Sequence, residues 1–229
     1  MGGVPRWDAL YRARAEEVSD ARPTLTGDVF TGVKLPGRTG TVKARTVAVL
    51  QHPCSMRTDG VEISWQVLVA EVKSRREIPE ANWGTGFFNL MPLPDLMPGE
   101  ATRTRHQAAD FDNLYTVTPS LLTSRTACLS PFGVNILLQR WVHYSSRVVV
   151  PTHDFQSVTQ AFYEEADLIE EWCDDAPGDL RTETEACVRW LRADRGDGTY
   201  QERLKDPQAH SMVRRAMRAE LKTRRSSPN

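Results

Sequence analysis

Between residues 23 and 151 apolar positions come mostly in short runs or alternate with polar ones, and beyond residue 151 they recur at helical spacing. The pattern predicts an α+β chain with an N-terminal helix in residues 1–22, a β-rich body over 23–151 containing one helix, and a helical tail over 152–229. Trp7, Leu10, Tyr11 and Val18 share one face of a helix expected over Trp7–Val18. Arg22-Pro23 ends it, because the residue before a proline is driven out of the helical region. Asp28-Val29-Phe30 centres the first strand, Pro36 to Thr41 is a loop, and Thr46-Val47-Ala48-Val49-Leu50 is a buried strand by its β-branched content. After a turn at Thr58-Asp59-Gly60, Val61, Ile63, Trp65, Val67 and Val69 alternate with Glu62, Ser64 and Gln66, as in a half-buried strand. Phe87 to Pro92 is a strand stopped by the prolines at 92, 94 and 98; residues 98–109 form a polar loop, and Leu114 to Thr118 a further strand.

Ser130-Pro131 then starts a helix with Val134, Leu137, Leu138 and Trp141 on its apolar face. Arg147 to Pro151 is a last strand or an extended linker. Thr152 to Asp154 cap a long helix with Phe155, Val158, Phe162, Ile169 and Trp172 inward. Thr182-x-x-Glu185 forms a capping box for the next helix, which buries Trp190 and Leu191 and stops at Arg195 to Gly198. Asp206-Pro207 opens the final helix, carrying Val213, Met217 and Leu221. Such stripes need cover, so the tail is expected to pack on the body.

Composition keeps this picture within the soluble globular class: 229 residues, 40% hydrophobic and 26% charged. No run approaches the roughly 18 apolar residues of a membrane span, and the start lacks the charged-then-apolar order of a signal peptide. Cys54, Cys128, Cys173 and Cys187 form no C-x-x-C pair. A reduced, cytoplasmic protein without a membrane partner is expected. Charge is segregated: from Asp154 to Glu185 there are eleven acidic residues and one basic, and from Ala186 onward eleven basic and five acidic. Opposed blocks pair with each other or with partners, and internal pairing is the expectation.

Gly27 to Phe30, Arg45 to Leu50 and Leu114 to Leu121, with Leu129-Ser130 before a helix, come in an order over roughly residues 25–145 that resembles the MazF/PemK toxin family. Gly27-Asp28-Val29-Phe30 looks like its opening strand. Arg45-Thr46-Val47-Ala48-Val49-Leu50 resembles its Arg-Pro followed by an apolar strand, with threonine where proline is usual. Leu114 to Leu121, with Leu129-Ser130 leading into a helix, resembles its closing strand and C-terminal helix. Gln51 to Arg57 looks like the Ser-Gln-Thr-Cys-Asp-type loop of uncharacterised bacterial proteins associated with the same barrel. The resemblance implies a small SH3-like, MazF-like β-barrel with a C-terminal helical appendage. It further implies metal-independent RNA cleavage by a protein of toxin–antitoxin or phage-defence type. Arg45 carries over as the basic residue. Ala70-Glu71-Val72-Lys73-Ser74 departs from the family's Pro-x-Thr-Ser-like run, leaving Ser74 as stand-in for its hydroxyl.

Candidate chemistry falls into four groups. Arg45, His52, Cys54, Ser55 and Arg57, with Ser74, supply base, acid and cation for attack of a 2′-hydroxyl on phosphate; the packing alternative is a rigid His52-Pro53 turn. Asp59, Glu71 and Lys73 resemble the Mg²⁺-binding core of PD-(D/E)xK nucleases, in which two carboxylates hold the ion and the lysine steadies the attacking water or phosphate. Metal binding by His52 and Cys54 with His106, His143 or His153 lacks the closely spaced second ligand pair of zinc sites, so packing roles, and no metal or cofactor, are expected. Arg214, Arg215, Arg218 and Lys222, with Arg224 and Arg225, form a basic run for phosphates, or a solvated helix end. The leading expectation is therefore an RNA-processing enzyme. The alternative is a non-catalytic protein-interaction module whose helical tail docks a partner, and the third reading is a Mg²⁺-dependent DNase.

Overall fold

Strand pairing carries the β-rich part of the chain. The computed structural model describes residues 9–37, 40–58, 62–98, 106–149, 152–176 and 178–226. Trp7, Asp59, Gly60 and Val61 lie outside them, as do the side chains of His153, Phe155 and Val158. Seven strands pair antiparallel in the order β1 (Tyr11–Arg14), β9 (Ser124–Leu129), β2 (Asp28–Pro36), β3 (Val42–Val49), β6 (Val67–Ser74), β8 (His106–Val117), β7 (Leu90–Pro94). The sheet curls into a half-barrel. A one-turn helix α1 (Pro53–Met56) and a two-stranded ribbon of β4 (Arg57–Thr58) and β5 (Glu62–Ile63) bridge β3 to β6, and α2 (Pro131–Ser146) follows β9.

Alternation decides which side chains fill the concave face. Phe30, Val33 and Leu35 of β2, Val47 and Val49 of β3, Val67 and Val69 of β6, and Val117 of β8 bury there with Met56 and Leu122. Ser130 caps α2 by accepting the Gly133 N–H at 3.1 Å, and Val134, Leu137 and Leu138 are buried. Two glycines permit the close approach beneath it. Gly27 has φ +85°, and a Cβ there would stand 2.7 Å from Val134 Cγ2 and 2.9 Å from Leu129 Cβ. A Cβ on Gly133 would collide with the Leu10 carbonyl.

Several expectations are corrected. The helix over Trp7–Val18 is replaced by β1 and a 3₁₀ turn at Ala15–Glu17, because Tyr11 to Arg14 pair with Leu129 to Ala127. The alternation from Val61 to Val69 does not make one strand. It breaks between β5 and β6, and Trp65 is 76% exposed. Pro92 and Pro94 do not stop β7; they lie in it, as an edge strand paired only to β8 allows. Strand β8 reaches back to His106, and β9, unread from its sparse apolar content, is internal to the sheet.

The chain divides into two compact units: residues 1–18 with 24–152, and residues 19–23 with 153–229. The second contains α3 (Thr152–Asp175), α4 (Leu180–Arg192), α5 (Tyr200–Arg203) and α6 (His210–Ser226). Their stripes close on one another: Leu168, Ile169 and Trp172 bury with Cys187, Trp190, Leu191, Leu204, Val213, Met217 and Leu221. The cap of α4 is Asp179, accepting the Thr182 N–H at 3.1 Å, and not the expected Thr182 box; the box found is Thr199 with Glu202 on α5. No helix among the described residues is long and apolar enough to cross a membrane.

Gly27→Ala combines a left-handed φ with overpacking against Val134 and Leu129, and is expected to lower the unfolding free energy by about 3 kcal/mol in urea melts.

Candidate functional site

The concave face does not stay apolar along its whole length. Beyond Val47 on β3 stands Arg45, and beyond Val69 on β6 stand Glu71 and Lys73, so charged groups close one end of the buried core. Glu71 faces Asp110 across β6 and β8. The two carboxylates are 4% and 2% exposed, and like charges directly opposite on a sheet repel. Cations separate them. Arg45 Nη1 hydrogen-bonds Glu71 Oε1, Lys73 Nζ lies 3.2 Å from Glu71 Oε2 and 3.7 Å from Asp110 Oδ2, and Arg75 Nη2 pairs with Asp110. Asp110 also accepts Asn113 Nδ2 at 3.0 Å and the Asp112 N–H at 3.1 Å, satisfying the bulge of residues 111–113. The hydrogen bond that Arg45 donates to Glu71 raises the guanidinium above its ordinary value, so it is an electrostatic partner and not a general acid.

His52 stands at the other end of β3. About 13 Å of strand, at roughly 3.3 Å per residue, separates Arg45 from Val49, and the chain then turns through Leu50 and Gln51, whose N–H groups both bond Leu68 O. His52 is the N-cap of α1: its Nδ1 accepts the Cys54 N–H at 3.2 Å, which places the proton of the neutral ring on Nε2. Burial lowers its pKa. Neither nitrogen is then a free base at neutral pH. Ser55 Oγ donates to His52 O at 2.9 Å, and partial desolvation raises the Cys54 thiol above its ordinary value, away from the thiolate a nucleophile needs. Arg57 is half-buried in the β4–β5 ribbon, and Ser74 is exposed where β6 ends. The expected catalytic set is therefore split. Arg45 and Ser74 belong to one end of β6, and His52, Cys54, Ser55 and Arg57 to the other.

The nuclease-like trio is met only in part. Asp59 lies outside the described residues, while Glu71 and Lys73 do share the concave face. Both oxygens of Glu71 are already matched by cations. His106 lies 3.8 Å from Glu77, the His143 ring packs tilted against Phe88 with centres 4.1 Å apart, and no cluster suited to a metal ion occurs among the described residues. In the tail, Arg214 bonds Glu171 at 2.6 Å and Glu164 at 2.8 Å, and Arg218 bonds Glu171 at 2.7 Å. These two expected phosphate binders are thus turned onto the acidic helix α3, as internal pairing requires. Arg215 and Lys222 are exposed.

A different feature went unread in the sequence. The loop between β6 and β7 folds over α2 and encloses a cleft of about 360 Å³ lined by Trp83, Phe88, Ile136, Arg140, His143 and Val149. Arg140 is 5% exposed and holds the loop: Nε donates to Leu90 O at 2.6 Å, Nη1 to Trp83 O, and Nη2 to Gly86 O at 3.1 Å and to Phe87 O. All four acceptors are uncharged carbonyls, and no carboxylate pairs with Arg140 among the described residues. Burial lowers its pKa to about 10, still charged at neutral pH. Phe87 takes a left-handed φ of +54°, uncommon for a bulky side chain, to turn its carbonyl inward. Of the lining residues Val149 is 79% exposed, and Phe87 and Val148, each next in sequence to a lining residue, are both 53% exposed. The signal available in the sequence was the Trp83-Gly-Thr-Gly-Phe-Phe88 run, apolar and glycine-rich but without period.

No protein-family model matches this chain, and no curated protein is significantly similar to it.

Glu71→Ala strands Arg45 near a buried core end and is expected to cost about 3 kcal/mol, whereas Arg45→Met/Glu71→Met, which removes the pair together, recovers most of that loss in urea melts. A lowered imidazole pKa means that the unfolded chain binds a proton more readily at His52. Its stabilising contribution is present above the ordinary value near 6.5 and is lost as pH falls below it. His52→Asn keeps an oxygen cap that does not titrate, and melts from pH 7 to pH 5 should show a smaller loss than in the parent chain.

Proposed function

We propose that this chain is a non-catalytic protein-interaction module on a MazF-like, SH3-type barrel, and that a partner docks at the cleft held by Arg140. The observation that carries this reading is the cleft itself: one buried guanidinium fixes four backbone carbonyls and so pre-forms an aromatic-lined concavity under an exposed apolar rim. Pre-formed apolar pockets with few placed polar groups are the usual form of binding sites, and exposed apolar residues beside such a pocket mark interaction surfaces.

The polar groups named for RNA cleavage support that reading by what they are already engaged in. Cleavage of a phosphodiester by 2′-hydroxyl attack needs a base and an acid within reach of one phosphate. Arg45 is committed to Glu71, and His52 spends its acceptor nitrogen on a helix cap at the far end of the strand. The leading RNA-processing expectation and the Mg²⁺-dependent DNase therefore rank below the interaction module.

The folded chain is expected to leave mixed-sequence single-stranded RNA and duplex DNA intact, both in EDTA and with Mg²⁺. RNA cut in EDTA by the parent chain, and not by a folded Arg45→Met/Glu71→Met variant, would instead establish the toxin-like enzyme.

A further inference from the structure

The cleft has a charge preference as well as a shape. Among the described residues that line it only Arg140 and His143 are ionisable, and none is a carboxylate. Arg140 has five N–H donors, and its four bonds to carbonyls leave the charge itself unneutralised. In a partly dry cavity such a charge acts on an occupant far more strongly than through water. The Asp112 carboxylate on β8 is taken up by Tyr144 of α2 and by Asn89 Nδ2 at 2.8 Å.

The apolar walls select the other half of the occupant. The indole of Trp83 is fixed by its N–H to Ile78 O at 3.1 Å, the Phe88 and His143 rings meet at a 52° tilt with centres 4.1 Å apart, and the Arg140 guanidinium lies 5.5 Å from the Phe88 ring centre. These rings offer faces and edges to another ring. A volume of about 360 Å³ sits at the low end of ligand sites. It suits one or two large side chains.

We propose that the cleft takes an acidic peptide segment of a partner protein, with one aromatic side chain seated among Trp83, Phe88 and Val149 and an Asp or Glu within two residues of it facing Arg140 and His143. This rests on the interaction-module reading above and adds the chemistry of the partner.

The test is selection of displayed random dodecapeptides against the full-length chain at about 0.15 M salt, followed by titration of synthetic winners by fluorescence polarisation. Two kinds of variant report on the site. Gly84 lines the cleft and a Cβ there meets no atom within 4 Å, so Gly84→Phe is expected to fill the cleft and to leave the urea melt unchanged. Val149→Glu and Val149→Lys place opposite charges on the exposed rim. The expected winners carry an aromatic residue with Asp or Glu within two positions and are lost on Gly84→Phe. Asp→Asn or Glu→Gln in the peptide weakens binding by about threefold to fivefold, and Val149→Glu in the protein weakens it by about the same factor more than Val149→Lys, both variants giving up the same apolar contact. Winners that depend on the cleft but tolerate amides or lysine in place of the acid overturn the charge assignment and leave the docking reading standing. No winner sensitive to Gly84→Phe overturns both.

Discussion

Two carboxylates facing each other inside a sheet set the constraint around which the half-barrel is built. Glu71 and Asp110 oppose across β6 and β8, nearly without solvent. Uncompensated, burial of either charge would cost several kcal/mol, a large part of a domain's net stability. The compensation comes from three strands: Arg45 of β3, Lys73 of β6 and the Arg75 that follows it, and the amide of Asn113 within β8. Each bond requires one register. A slip of one residue would send Glu71 or Asp110 to the opposite face and separate both from their cations. The charges thus contribute specificity of pairing at a place where the apolar alternation has run out, and the bulge at 111–113 is the geometric consequence of meeting Asp110's needs.

Arg140 repeats the theme with the opposite sign and a different solution. Its buried charge is met by carbonyl dipoles instead of a carboxylate, which ties the β6–β7 loop to α2 but leaves net positive charge beside a cleft. The strained φ of Phe87 belongs to the same device. Backbone in that region costs of order 1–3 kcal/mol and persists where surrounding bonds over-determine it. The Gly86 and Phe87 carbonyls, both bound to Nη2, do so here.

In the second unit the segregated charge is resolved along helices. Arg214 and Arg218 on α6, and Arg192 on α4, reach Glu164, Glu165 and Glu171 of α3, while apolar stripes of the same helices bury Trp172 and Leu191. Arg22, 2% exposed at its side chain, brings the 19–23 segment into this unit through Asp167 and Glu170.

What the sequence by itself determined is what short-range periodicity and capping encode. The α+β class, the strands at Asp28–Phe30 and Thr46–Val49, the Ser130-Pro131 helix start and the tail helices all follow from side-chain alternation, β-branching and caps, which act within a few residues. Opposed charge blocks foretold internal pairing in the tail for the same reason of composition. Tertiary structure decided the rest. Tyr11 to Arg14 became a strand because β9 offered a partner more than a hundred residues away, and helical spacing of four apolar residues could not compete with that ladder. Arg45 and His52, seven positions apart, read as one site in the sequence, yet an extended strand carries them to opposite ends of a core. Conversely, Trp83, Phe88, Arg140 and His143 are distant in sequence and meet only because a guanidinium binds the carbonyls of a loop, a contact to backbone that no side-chain pattern announces.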